Sequence, residues 1–540
     1  MKIDKNIFRE NFILFLVFLS LFTIGLSFYK DFGISIDENY HRESGKLYYS
    51  YIKSFFIGSN IQESVTLNDV KIAVSDLAFR QPAIFDVFAE FIIDFIDNPT
   101  IQQVFFTRHF LNFLIFLFSC FFFYLILRKR FKKNFYAYLG LILLFFSPRI
   151  FGESFYNNKD IIFLSISIIF IFFALRFFEK KSYLNAFYFG LFSGLAFDIR
   201  VMAILYIFGA YLIFFLQYLD DKRFLVKNLK YLILSLITTI LSIYIFWPYL
   251  WFDPINNIFN FLFMLKSNIP DVQNLYFGEY YLSKNTPWHY NIIWIIITIP
   301  TVVTFFSILG LYFLLKNIIK NIFQLDNKNH KFWKSNSTMF DYYFIICVLI
   351  ILISNLIFAV NYDGWRQTYF LYPFLVILSI SGLSILMSKF NEIRLKYLIF
   401  FLIFLEISFS IFWIFKNHPH QYIYFNPIFK NITLNKFQLD YWGISNRSSL
   451  EYILKKEKKD KIKVATVSFT LLEDSLRVLD ETGRNKISIV HNLKEADYVV
   501  DNYRKKWDKI DNFNLLKTNF KKIHNLIIDG NIISTIYKRM

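Results

Sequence analysis

Asp37 and Glu38 stand side by side a few residues past the first strongly apolar run, in Gly33-Ile34-Ser35-Ile36-Asp37-Glu38-Asn39-Tyr40-His41. Paired carboxylates next to lipid are costly to place, and a carboxylate in a partly desolvated site is suited to taking a proton from an incoming nucleophile. Four further polar clusters interrupt the apolar sequence: Ser147-Pro148-Arg149 through Lys159-Asp160, Asp198-Ile199-Arg200, Pro287-Trp288-His289-Tyr290, and Asn361-Tyr362-Asp363-Gly364-Trp365-Arg366-Gln367. Together they supply what transfer from a lipid phosphate needs. Cations hold the phosphate and stabilise its charge as it leaves, and a carboxylate serves the attacking group. The expected roles are Asp37 and Glu38 in catalysis and Arg149, Lys159, Arg200 and Arg366 on the phosphate, with Asp160, Asp198, Trp288, His289, Asp363 and Trp365 on the rest of the substrate.

Each cluster also has a plain structural reading. Asp198 and Arg200 are able to neutralise each other at a hairpin, because charges at membrane depth pair. Trp288 suits an interfacial belt, Arg149 is long enough to snorkel to headgroups, and Asp37-Glu38 suits the first turn of the helical-looking stretch 40–56. A lone His such as His289 is more often structural than catalytic. The joint placement of all five clusters on one side of the membrane favours the chemical reading.

The elements that must position these residues are membrane spans. Of 540 residues, 56% are hydrophobic and 21% aromatic, with 72 Phe. A soluble globular protein has too little interior for that much apolar surface, whereas a polytopic membrane protein has lipid to receive it. At about 20 apolar residues per crossing, eleven spans are predicted: 9–29, 104–127, 134–148, 160–178, 184–199, 201–219, 230–249, 291–315, 341–360, 367–387 and 397–415. The first is too long in its apolar core, and lacks the small-residue site, for a cleaved signal peptide.

The net charge of +18 sits largely in short segments between spans. Lys2, Lys5 and Arg9 precede the first. Arg128-Lys129-Arg130-Phe131-Lys132-Lys133, Lys180-Lys181, Lys222 with Arg223 and Lys227, then Lys316, Lys320, Lys328, Lys331 and Lys334, and finally Lys389, Arg394 and Lys396 follow every second span. This is the pattern of cytoplasmic connections, and it argues against nucleic-acid binding. It puts the N-terminus on the cytoplasmic side of the cytoplasmic (inner) membrane, and the polar clusters and C-terminal region on the outer, extracytoplasmic (periplasmic) side. Cys120 and Cys347 both fall in apolar runs, so a disulfide framework or Cys-based metal site is not expected. No His-rich or clustered Asp motif has metal spacing, and no metal or other cofactor is assigned, a divalent cation being left open.

The first outer loop, 30–103, is too long for a simple turn. Within it, residues 84–95 carry apolar side chains at helical spacing with carboxylates opposite, as in a helix lying along the membrane or packed on the spans. After residue 415 charges become frequent. Lys461–Val467 and Ala496–Val500 read as strands and Ser449–Lys459 as a helix. The fold class expected is an α-helical polytopic membrane protein: a transmembrane domain over 1–415 and a small C-terminal α/β domain, 416–540, outside the membrane.

This layout resembles the GT-C superfamily of polytopic glycosyltransferases, in particular bacterial relatives of the protein O-mannosyltransferases (family 39) and of the lipid A aminoarabinose transferase. The resemblance spans roughly 8–415 and rests on Asp37-Glu38 in the first outer loop, Ser147-Pro148-Arg149 through Lys159-Asp160, Pro287-Trp288-His289-Tyr290, Tyr362-Asp363-Gly364-Trp365-Arg366 with Tyr372-Pro373, and Asp440-Tyr441-Trp442-Gly443. It implies Asp37 as base with Glu38 supporting it, a sugar on a polyprenyl phosphate as donor, and inverting transfer to a hydroxyl on a lipid, glycan or protein. Family 39 relatives are generally metal-independent, while some other GT-C enzymes need a divalent cation. Members often carry a His-Pro element later in the first loop; here the sequence reads Phe79-Arg80-Gln81-Pro82, without the His. The alternatives are a transporter or flippase of a lipid-linked saccharide, whose expected inverted repeats and Gly/Pro-broken midplane helices are not evident, and a membrane-anchored scaffold, for which eleven spans with embedded charges are excessive.

Overall fold

The computed structural model describes residues 5–57, 81–251, 253–267, 271–324, 332–358, 360–504 and 510–540. Among these, nine helices are long and apolar enough to cross a membrane: Arg9–Phe28, Ile101–Phe131, Asp160–Glu179, Val201–Asp220, Phe224–Phe246, Thr301–Phe323, Asn336–Ile357, Arg366–Lys389 and Ile393–Lys416. Two departures from the predicted eleven trace to proline. The predicted span 134–148 is half of a bent pair, Asn134–Phe145 and Pro148–Tyr156, which meet at 62°. Pro148 forces Ser147 out of helical conformation, to φ −71°, ψ 115°. The predicted span 291–315 is likewise interrupted at Pro300, with Ile299 extended at ψ 156°, giving Tyr290–Thr298 and then Thr301–Phe323. The predicted span 184–199 forms the helix Tyr183–Ile199, 17 residues long and short of a full crossing by that measure.

Burial sorts the helices. Asp160–Glu179 is 83% buried along its apolar window and Arg9–Phe28 only 17%. The former is therefore the centre of the bundle, while the latter offers its sides to lipid. Thr301–Phe323 and Tyr372–Lys389 approach most closely at two glycines. A Cβ on Gly310 runs into the Leu378 carbonyl, and one on Gly382 runs into the Phe306 carbonyl. Small residues of this kind let spans pack backbone to backbone where no hydrophobic effect drives them together. Gly382→Leu is therefore expected to cost about 3 kcal/mol through overpacking. Thermal unfolding in detergent reads this, and an unchanged midpoint would show that the two helices separate freely.

The helix Ile101–Phe131 begins in a full capping box. Thr100 Oγ1 accepts from Gln103 N at 3.2 Å and Gln103 Oε1 accepts from Thr100 N at 2.8 Å. Its far end is tied to Asn336–Phe358 by Arg130, which donates to both oxygens of Asp341 at 2.6 Å. The segment 30–103 contributes the helices Ile36–Ile57 and Ile84–Ile93, both expected and packed on each other; Phe79 and Arg80 lie outside the described residues.

A short antiparallel hairpin, β1 (Gln273–Tyr276) and β2 (Glu279–Leu282), precedes the C-terminal sheet, which has the order β4-β3-β5-β7-β6, from β3 (Ile462–Thr466), β4 (Ile487–Ile489), β5 (Tyr498–Asp501), β6 (Phe520–Ile528) and β7 (Asn531–Arg539). β3 runs parallel to both β4 and β5, and the β6–β7 hairpin closes the sheet in antiparallel sense. Helix Ser445–Lys456 packs on β7. The connecting stretch 417–444 is not a free linker. Tyr422, Tyr424, Phe425, Phe437 and Trp442 are buried in the same apolar core as the spans, so the sheet unit is anchored to the bundle.

Candidate active site

A cavity of about 670 Å³ opens where the segment 30–103, several helix ends and the sheet unit meet, and Asp37 is part of its lining. Asp37 sits in the first turn of Ile36–Ile57, where carboxylates are favoured by the helix dipole. Its Oδ2 accepts from Arg366 Nη1 at 2.7 Å, and its side chain stays 35% exposed against 7% for Arg366. Arg366 is a hub. Nη1 also reaches Asp160 Oδ2 at 3.4 Å and Nη2 reaches Asp363 Oδ2 at 3.3 Å. Its guanidinium lies 4.5 Å from the Trp442 ring centre and 5.5 Å from that of Tyr362. Three carboxylates around one guanidinium leave net negative charge, which Arg200 on Asp160 Oδ1 and Arg504 on Asp363 Oδ1 offset.

Burial raises the Asp37 carboxyl, but Arg366 and the neighbouring His41 and Lys159 outweigh it and hold it at about 2. His41, one helical turn on, is pushed down to about 3 by burial and then by Lys159, and is a neutral imidazole at physiological pH. Lys159, whose ammonium meets Gln81 Oε1, is brought down to about 8 by burial and then by Arg200, against the pull of Asp160, Asp37 and Asp86.

Lys159, Asp198, Arg200, Asp363 and Arg366, all singled out in the sequence, line this cavity together with Asp37. Asp160 stands behind it, fixed by Asn157: its N–H donates to Asn157 Oδ1 at 2.9 Å and its Oδ2 accepts from Asn157 Nδ2 at 3.2 Å. The alternative reading, in which Asp198 and Arg200 neutralise each other, is not what forms. Arg200 turns to Asp160, and neither oxygen of buried Asp198 meets a hydrogen-bond donor among the described residues.

Several expected residues stand elsewhere. Glu38 faces away from the cavity. Its Oε2 accepts from Ser35 N at 3.1 Å, half of a capping box, and its Oε1 lies 3.0 Å from His109 Nε2, so it pins the helix start to Ile101–Phe131. Arg149 neither snorkels nor reaches the cavity. It is buried, donating from Nε to the Tyr424 carbonyl at 3.0 Å and lying 5.2 Å over both Trp294 and Phe425, which locks the 417–444 stretch onto the bundle. Trp365 is buried with Nε1 on Thr298 Oγ1 at 2.8 Å. His289 Nδ1 is 2.6 Å from Tyr276 OH, and Trp288 is exposed; neither lines the cavity.

The cavity also takes in residues to which the sequence gave no role: His41, Gln81, Tyr362, Phe469 and Arg504. The Asp37–His41 spacing of four on a helical stretch is a usable signal for His41. Phe469 and Arg504 lie more than 400 residues along the chain from Asp37, and nothing local marks them. The lining also includes apolar side chains: Val201, Met202, Phe261, Met264 and Leu265. Among the described residues no group of three or more His, Cys, Asp or Glu is arranged to hold a metal ion.

Residues 87–247 match the model of the dolichyl-phosphate-mannose-protein mannosyltransferase family. No curated protein sequence matches the chain. Among solved structures, ArnT from Cupriavidus metallidurans in the apo state aligns over 98% of this chain and 98% of its own, at 11% identity and a TM-score of 0.44. The same protein bound to undecaprenyl phosphate aligns over 97% of each chain, at 11% identity and a TM-score of 0.45. By the family match over residues 87–247, the chain resembles the GT-C membrane glycosyltransferases.

Proposed function

We propose that this protein is an inverting glycosyltransferase. It moves a sugar, hexosyl or pentosyl, from a polyprenyl-phosphate donor to a hydroxyl of a lipid, glycan or protein acceptor at the outer face of the cytoplasmic membrane. One observation carries the reading: a solvent-reachable carboxylate, Asp37, shares a cavity with Lys159, Arg200 and Arg366 and with the apolar side chains of Val201, Met202, Phe261, Met264 and Leu265. The apolar lining suits an isoprenoid chain and the cations suit its phosphate. The match of residues 87–247 to a family named for a polyprenyl-phosphate sugar donor supports the same class of donor.

In the proposed reaction the acceptor oxygen bonds to the anomeric carbon as the bond from that carbon to the phosphate oxygen breaks. The electron pair leaves on the phosphate and the acceptor proton passes to Asp37. The phosphate is already a stable anion, so no strong general acid is required. A carboxyl held at about 2 is a weak base at rest. The proton then moves within the transition state, in a site from which substrate has displaced water. The unpartnered carboxyl group of Asp198 is placed to hydrogen-bond sugar hydroxyls, which satisfies a buried group that the protein leaves open.

Transfer by purified protein in detergent, with a panel of polyprenyl-phosphate sugars and a membrane extract as acceptor, tests the assignment. Donor binding without turnover across the panel would instead favour a carrier of lipid-linked saccharide. The pH profile is a second check. With Lys159 at about 8 in the free protein, the ammonium that helps hold the phosphate is lost as pH rises, so kcat/KM for donor is expected to fall above about pH 8. Lys159→Arg, which stays charged, is expected to remove that limb. A profile flat to pH 10 in the unaltered protein would take Lys159 off the phosphate.

A further inference from the structure

We propose that Arg504 of the C-terminal sheet unit is a positioning residue for the base, acting through Asp363 and Arg366 on Asp37. The inference rests on the glycosyl-transfer reading of the cavity and gives the sheet unit a part in the chemistry. From β3 the chain runs to β4 on one side and then crosses to β5 on the other, so β3 and β5 flank the point where strand order reverses. At such a point the loops off the carboxyl ends diverge and leave a crevice. Here the loops are Val467–Leu471 and Asn502–Arg504, and they are tied together. Phe469 N donates to the Arg504 carbonyl at 2.8 Å, Asn502 N to Ser468 Oγ at 2.8 Å, and Ser468 Oγ to Asp501 Oδ1 at 3.0 Å. The crevice grips the chain's own 440 loop, with Asn502 Nδ2 donating to the Asp440 carbonyl at 3.2 Å. This aims Arg504 into the cavity, buried, with Nη1 on Asp363 Oδ1.

Asp363 thus stands between two guanidinium groups, giving Oδ1 to Arg504 and Oδ2 to Arg366. Its backbone is fixed independently. Asp363 has φ 59° and Gly364 φ 71°, a left-handed pair that Asp and Gly tolerate. Asp363 N donates to Asn274 Oδ1 at 3.0 Å and Gly364 N to Tyr290 OH at 3.1 Å. With Arg504 in place, one oxygen is left for Arg366, whose other terminal nitrogen serves Asp37. Without it, both oxygens draw on Arg366, and a guanidinium offered a whole carboxylate prefers the two-bond fork. The fork turns Arg366 away from Asp37 and Asp160. The charged or titratable groups facing Asp37 are then His41 on its own helix, Lys159 and Tyr362, none of which replaces the lost bond.

The test is a double-mutant cycle on donor kinetics, with Arg504→Met read in the unaltered and the Asp363→Asn backgrounds. Arg504→Met is expected to lower kcat about tenfold or more with donor KM within about threefold, and to lower it less than about threefold when Asp363 is Asn, because coupling through a shared partner vanishes once that partner is gone. The same loss in both backgrounds, or a loss confined to donor or acceptor KM, would make Arg504 a substrate contact and overturn the proposal. Should Arg504→Met not fold, Arg504→Lys is read in the same two backgrounds with the same criteria. A second readout is independent of turnover: infrared difference titration of the carboxylate absent from Asp37→Asn. The signal expected at about 2 in the unaltered protein moves up toward about 4, the ordinary Asp range, in Arg504→Met; no movement overturns the relay. Absence of transfer by the unaltered protein counts against the glycosyl-transfer reading alone and leaves this titration to decide the relay.

Discussion

Asp37→Asn is expected to lower sugar transfer by about 10²–10⁴-fold, the span of a positioned general base, with little loss of folded protein. Asn keeps the shape of the side chain, and its carbonyl still accepts from Arg366, which today meets Asp37 Oδ2 at 2.7 Å. The site is not left with a bare cation, because Asp160 and Asp363 remain on the same guanidinium. What is lost is the one basic oxygen of that set with a third of its side chain open to the cavity. Donor consumption and glycosylated product, compared between variant and unaltered protein in detergent, give the answer. Near-normal turnover in the variant would remove Asp37 from the chemistry and return attention to the neutral imidazole of His41 beside it.

Arg366→Met is expected to be more damaging, because it removes both function and folding energy. Asp160 keeps Arg200 and Asp363 keeps Arg504, but Asp37 has no other direct ion-pair partner in the described structure. Breaking a largely buried ion pair by deleting one member costs about 3–5 kcal/mol. Here one guanidinium serves three carboxylates, so the upper end of that range is expected, together with transfer below detection. Arg366→Lys retains charge but not the planar fork that reaches Asp37, Asp160 and Asp363 at once, and stacking on Trp442 is lost with it; an intermediate defect is expected. Thermal unfolding in detergent, donor-phosphate binding and transfer separate the two contributions. An Arg366→Met protein that is stable and turns over within about tenfold of the unaltered protein would mean that the hub is structural decoration.

The sequence by itself determined the class of the protein. Apolar runs near the length of a bilayer, separated by short basic segments, leave only a polytopic membrane protein, since hydropathy is a sum over local residues and needs no partner to be read. It also marked Asp37, Lys159, Arg200, Asp363 and Arg366, because charges embedded among apolar residues are costly and therefore conspicuous. Even the corrections at Ser147-Pro148 and Ile299-Pro300 were locally encoded, as proline bars the preceding residue from helix whatever the hydropathy of the window. Tertiary structure alone decided who pairs with whom. Arg200 is two residues from Asp198 yet bonds Asp160, forty residues away, because the end of Tyr183–Ile199 packs against the start of Asp160–Glu179. Glu38 adjoins Asp37 but turns to His109, because successive helical positions are rotated by about 100° and face different neighbours. Arg149, as conspicuous as any cation in the chain, is spent on a buried carbonyl and two rings. Arg504, which no local pattern distinguishes, reaches the site because β3 and β5 part at their carboxyl ends over the cavity. An ion pair is set by the relative rotation and docking of whole elements, and those are properties of the packed chain rather than of any segment in it.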